Sequence, residues 1–143
     1  SLLNHQKLTL DTFEENIYRD LISNSRTFGF KKDVDMLLEK GLIKGGSLEN
    51  AILIDEAGVM NDEELRYPDE FVRHKILDFI GDIFLLGKKV EGHFEIYCGG
   101  HNLTQEFLKT LMSDHSNWKL INEGPSDIDQ ILIKPHREIS AAI

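Results

Sequence analysis

The chain is poor in cysteine, short of basic residues and free of long apolar runs. Cys98 is its single cysteine, so no disulfide can close within the chain, and a reducing compartment, the cytoplasm, is the expected setting. Only 16 Lys and Arg stand against 25 Asp and Glu, a net charge of −9. That balance argues against nucleic acid or an anionic membrane surface as the main partner. No apolar run approaches the length needed to cross a bilayer, so no transmembrane segment is expected. The opening Ser1-Leu2-Leu3-Asn4-His5 lacks the basic start and apolar core of a signal peptide, and Ser in place of Met suggests a processed or cut chain. There is no internal repeat and no low-complexity segment.

What is present suits one domain. The 143 residues are 41% apolar, enough for a single core. Gln6 to Asp11 alternates loosely and reads as a short strand. Thr12-Phe13-Glu14-Glu15 reads as a capping box that opens a helix to about Ser23, with Phe13, Ile17 and Leu21 inward. Asn24 to Phe30 reads as a loop, in which Phe28 and Phe30 either plug the core or form an apolar wall beside Thr27. Lys31 to Lys40 reads as a second helix, with Val34, Leu37 and Leu38 inward and Gly41 as its stop. Gly45-Gly46 permits a turn or a close backbone approach. Asn50 to Asp55 reads as a buried strand, Glu56-Ala57-Gly58 as a hairpin-type turn, and Val59-Met60 as the start of a partner.

The richest stretch follows. Phe71, Ile76, Leu77, Ile80, Phe84 and Leu85 keep close to a 3.6-residue period and predict a helix from Phe71 to Leu86 with these side chains inward. Pro68, Asp69 and Glu70 suit its first turn, and Gly87 ends it. His74 and Asp78 are four apart on that helix, so they stand one turn apart on one face, and Asp82 lies a turn further. Such an imidazole and carboxylate can grip one divalent metal, or can make an ordinary surface contact. Val90 to Cys98 alternates as a strand, with Phe94, Ile96 and Cys98 on one face and a solvent-facing His93 on the other. Gly99-Gly100-His101-Asn102 then turns into a helix with Asn102 as N-cap and Leu103, Phe107, Leu108 and Leu111 inward. His101 is placed either for chemistry or as a hydrogen-bonded turn residue. Trp118 reads as closing the core, Ile131 to Ile133 as a short strand, and Pro135 to Ile143 as a tail. His5, His115 and His136 look incidental.

Five motifs lie in order and spacing. They are Arg26-Thr27-Phe28-Gly29-Phe30, Gly45-Gly46-Ser47-x-x-Asn50, Leu65-Arg66-Tyr67, His74-Lys75-Ile76-Leu77-Asp78-x-x-Gly81-Asp82 and Gly100-His101. From about Leu8 to Trp118 the chain resembles the C-terminal domain of the UDP-3-O-acyl-N-acetylglucosamine deacetylases, zinc amidases of lipid A biosynthesis. The resemblance implies an α+β fold, a two-layer sandwich of a small mixed or antiparallel sheet against helices, one of two similar domains. It implies that residues 1–118 form this domain, that 119–143 are an extension or tail, and that the domain's first strands are not matched here.

The resemblance also implies roles. His74 and Asp78 match two of three zinc (Zn2+) ligands. His101 matches the catalytic histidine, Asp82 the carboxylate that orients and charges it, and Thr27 a hydroxyl near the scissile amide. Lys75 matches a lysine near the substrate. Phe28, Phe30, Val34, Gly46, Ser47 and Leu53 match the lining of the acyl-chain passage. The third zinc ligand, a histidine, and the general-base glutamate belong to an N-terminal domain of the same protein and have no counterpart here. The full-length protein is then expected to be a monomer that hydrolyses the N-acetyl amide of UDP-3-O-acyl-N-acetylglucosamine, and this piece alone to be nearly inactive. Two other readings of the same residues are a non-catalytic nucleotide-sugar and acyl-chain binding module, and a small interaction domain in which His74, Asp78 and Asp82 are a solvated helix face.

Overall fold

The computed structural model describes residues 5–11, 14–121 and 130–133, which carry α-helices and two small sheets. They fall into two compact units, Ser1–Leu77 and Asp78–Ile143.

In the first unit, Glu15–Ile17 opens a short helix, α1, which continues through Tyr18–Ile22 as a wider turn in which the Ser23 amide reaches the Tyr18 carbonyl. No side chain caps this helix at Glu14, and the expected capping residue Thr12 and the expected inward Phe13 lie outside the described residues. Residues Gln6 to Leu10 form no strand; the Gln6 side chain instead reaches the Pro68 carbonyl and the Val72 amide. The expected loop at Asn24 to Phe30 is in part a strand, β1 (Thr27–Phe30). It pairs in parallel with β2 (Ala51–Ile54), Phe28 opposite Ile52 and Gly29 opposite Leu53. Parallel strands need a long crossover, and α2 (Lys31–Glu39) supplies it. Alternation puts Phe28 on the side of Ile52 and Ile54, and Gly29 on the side of Leu53.

The core of this unit is Ile52, Ile54 and Phe71, with Phe28 and Leu65 packed on it. Phe28 is therefore half-buried and packs on the core. Phe30, at the strand's end, is exposed. α2 buries none of its residues, and Leu38 is 52% exposed, so its inward stripe is narrower than its periodicity predicts. The turn after β2 forms as expected: the Asp55 carboxylate accepts from the Ala57 and Gly58 amides, and Ile54 bridges Val59.

Helix α3 (Glu70–Ile83) begins in the first unit and ends in the second. A tight turn, Phe84–Leu86, follows, and Gly87 closes it at φ 64°, a left-handed conformation that suits glycine. Phe84 and Leu85 are 72% and 73% exposed, so the periodic stripe overshoots the helix that carries it.

The second unit holds a mixed three-stranded sheet in the order β3 (Lys89–Glu91), β5 (Gln130–Ile133), β4 (Trp118–Ile121). β3 runs parallel to β5, and β4 antiparallel to it. The long alternating strand expected to Cys98 stops at Glu91. Cys98 itself has φ 51°, outside any strand conformation. Helix α4 (His101–Ser113) buries Thr104, Leu108 and Leu111. Its N-cap is Gly100, not Asn102, and no side chain caps it. Trp118 is half-buried in β4. The expected tail from Pro135 to Ile143 lies outside the described residues.

Candidate active site

β1 and the first turns of α3 bring one group of residues together in the first unit. The His74 Nδ1 lies 3.3 Å from the Ser25 carbonyl oxygen. A carbonyl only accepts, so Nδ1 carries a proton and donates it; in the neutral ring that leaves the lone pair on Nε2. The Phe28 ring meets Phe71 edge-on at 5.0 Å and His74 at 6.0 Å, and the Lys75 ammonium stands 5.2 Å from the Phe28 ring centre. Phe28, His74 and Lys75 thus form one cluster. Thr27 is exposed at the start of β1.

Val34 and Leu53 belong to the other side of the strand pair. A methyl group on Gly29 would meet the Val34 side chain at 3.2 Å, so the missing side chain lets α2 close on β1. Gly46 and Ser47 sit in an exposed turn held by Asn50: its carbonyl accepts from the Ser47 amide at 2.9 Å, and its amide donates to the Gly45 carbonyl at 2.9 Å. Asn50 therefore shapes the glycine turn. Asn61 does the same for β2, accepting from the Leu53 amide and donating to the Leu48 and Ala51 carbonyls.

Sequence reasoning missed a buried ion pair beside this cluster. Arg26 and Glu70 are 3% and 0% exposed, and the Arg26 Nε donates to Glu70 Oε1 at 3.0 Å. Glu70 Oε1 also accepts from the Arg26 backbone amide at 2.9 Å; Oε2 accepts from Arg26 Nη2 at 3.1 Å and from the Arg66 amide at 2.7 Å. Burial pushes the Glu70 carboxyl upward, but these donors outweigh it and hold the group below the usual carboxylate range. The same bonds raise Arg26. The available signal was weak: a charged residue just before an apolar strand, and an acid whose place in a first helical turn already had a dipole explanation. Arg66 and Tyr67 tie the same unit together, Arg66 donating to the Asn24 and Glu49 carbonyls and the Tyr67 hydroxyl to the Asp20 carbonyl.

In the second unit, the last turns of α3 and the start of α4 meet through three side chains. The His101 Nδ1 donates to Asp82, 2.9 Å from Oδ2 and 3.1 Å from Oδ1. Its Nε2 lies 3.8 Å from Asp78 Oδ1. The two carboxylates are mostly buried, 12% and 14% exposed, while the imidazole is 60% exposed. In the turn before α4, a methyl group on Gly99 would stand 2.9 Å from the Ile96 side chain, so the turn is packed where the side chain is missing. A histidine gripped at one nitrogen and open to solvent can move a proton at the other.

His74 and Asp78 are one turn apart along α3. An imidazole whose Nδ1 donates to a carbonyl, and a carboxylate, are ligand types that zinc accepts. Among the described residues no three His, Cys, Asp or Glu side chains gather as a metal-binding group.

Comparison with known proteins matches residues 1–113 to the family described as UDP-3-O-acyl N-acetylglycosamine deacetylase. This chain belongs to that deacetylase family. It is 50% identical over 123 residues to UDP-3-O-acyl-N-acetylglucosamine deacetylase of Lawsonia intracellularis, an alignment that covers 86% of this chain and 40% of that one. The deacetylase of Myxococcus xanthus is 48% identical over 116 residues, 81% of this chain and 37% of its own. That of Teredinibacter turnerae is 45% identical over 128 residues, 89% and 42%. The chain thus spans about two fifths of the length of the curated relatives it matches. No described helix is long and apolar enough to cross a membrane.

Proposed function

We propose that this chain is the C-terminal catalytic half of a zinc-dependent deacetylase, acting in the cytoplasm as a monomer when full length. The enzyme hydrolyses the N-acetyl amide of UDP-3-O-acyl-N-acetylglucosamine to acetate and the free amine, a step of lipid A biosynthesis. Residues 1–118 form the domain and 119–143 its extension. It is one of two similar domains, and the other supplies a third ligand and the general base, so this half alone turns over little.

His74 and Asp78 would hold the zinc. When bound, zinc polarises a carbonyl and acidifies water, which an unactivated amide requires. The rest of the chemistry falls to the chain's own groups. Asp82 holds the Nδ1 proton of His101 and fixes the orientation of the ring. His101 then offers its Nε2 proton to the departing sugar amine, or stabilises charge growing on the acetamide oxygen. The Thr27 hydroxyl faces the scissile amide and Lys75 contacts the substrate. Phe28, Phe30, Val34, Gly46, Ser47 and Leu53 line the acyl passage.

The observation that supports this reading best is the histidine–carboxylate pair at 2.9 Å, with the second imidazole nitrogen turned toward Asp78. The test measures metal in the dialysed full-length protein and in its Asp78→Ala variant. Zinc retained by the first and lost from the second is the expected result. Retention of stoichiometric zinc by a variant lacking both His74 and Asp78 would overturn the assignment.

A further inference from the structure

One peptide group in the first unit is held at both ends. Its carbonyl, that of Ser25, accepts from the His74 Nδ1 at 3.3 Å. Its N–H, that of Arg26, donates to Glu70 Oε1 at 2.9 Å. In a trans peptide these two bonds point in opposite directions along one dipole. A carboxylate on the N–H end polarises the group and strengthens its carbonyl as an acceptor.

We propose that Glu70 is a positioning residue for the metal site, acting on His74 through the Ser25–Arg26 peptide. The arrangement is a carboxylate–peptide–histidine relay in place of the direct carboxylate–histidine contact common around zinc. It fixes His74 with its proton on Nδ1 and its lone pair on Nε2, and it makes Nε2 a better donor. Glu70 is suited to the task because it is buried and its carboxylate is fastened by Arg26 and by the Arg66 amide, so its charge does not wander. Glu70 and His74 also stand one turn apart on α3, which makes the relay a closed loop between one helix and the segment leading into β1. The inference rests on the zinc reading above.

The experiment uses the full-length enzyme, nitrogen-15 NMR of its imidazoles in the metal-free state, and zinc affinity by chelator competition. The wild type is expected to show His74 protonated on Nδ1; an Nε2-protonated ring would overturn the relay without any variant having to fold. Glu70→Gln is expected to weaken zinc binding about tenfold or more, the usual effect of removing an outer-shell partner, and to mix the His74 tautomers. Glu70→Asp, which keeps the charge, is expected to recover part of both. Ile52→Val, a change in the same core, should lower thermal stability and leave affinity and tautomer alone. A Glu70→Gln variant that melts early yet binds zinc as tightly as the wild type would reduce Glu70 to a structural role. Wild-type protein that binds no zinc would instead sink the functional reading, so the two failures are distinguishable.

Discussion

The two units hold ionisable pairs that differ in kind. Arg26–Glu70 in the first unit is sealed from water, and four N–H groups converge on one carboxylate. Asp82–His101 in the second has the carboxylate mostly buried and the imidazole 60% exposed. A sealed pair is costly to break, because removing one member strands the other's charge in a medium of low dielectric constant. A pair with one member in water costs little to break, and its open nitrogen is available to exchange protons. Burial thus separates the charges that hold this chain together from those that can do its chemistry.

The sharpest way to break that contrast is Glu70→Leu. It leaves Arg26 buried without its counterion, and a loss of about 3–5 kcal/mol of stability is expected in urea titrations. The double change Arg26→Met with Glu70→Leu should recover the part of that loss that comes from the stranded charge, but not the part that comes from the Arg26 and Arg66 backbone amides, which lose their acceptor in both variants. Acid should act in the same place. The folded-state pKa of Glu70 lies below its unfolded value, so its contribution is fully present above the unfolded pKa of about 4.3 and is lost as pH falls from there through the folded value. Stability of the wild type should therefore drop in that acidic window, and Glu70→Gln should flatten the slope.

The other side of the contrast is read in turnover. His101→Ala in the full-length enzyme is expected to lower kcat by about 100-fold or more, the usual contribution of a positioned proton donor. The unfolding midpoint should move little, since the ring is exposed. A His101→Ala variant that loses several kcal/mol of stability would erase the distinction between the two pairs.

Much of the fold is legible in the sequence. Helix α3, the buried β2 strand, the turn at Glu56–Gly58 and the inward Leu108 and Leu111 follow from period and punctuation, which are local signals. The five motifs pointed to the family, and the structure sets His101 on Asp82. Thr-Phe-Gly-Phe is short and holds a glycine, so by itself it reads as a loop; only the partner strand makes it β1, and Val34 of α2 gives the glycine its reason. The alternation from Val90 to Cys98 misled because a period-2 pattern needs a partner strand to become one, and pairing ends at Glu91. Arg26–Glu70 was invisible for a related reason: its members are 44 residues apart, and each had a local explanation.

Smaller effects sharpen the picture of the glycine turn. Asn50→Ala removes the two side-chain bonds that hold Gly45 and Ser47, and is expected to cost about 1 kcal/mol, read as a lower urea midpoint at unchanged slope. The smallest effect belongs to Leu85. Its periodic position marks it as core, but it stands 73% exposed in the turn after α3. Leu85→Gln should change the stability of this chain by no more than about 0.5 kcal/mol, because a side chain already in water has little burial to lose. A loss of 2 kcal/mol or more, the cost of truncating a packed leucine at roughly the low end of the known range, would mean that the stripe is buried after all.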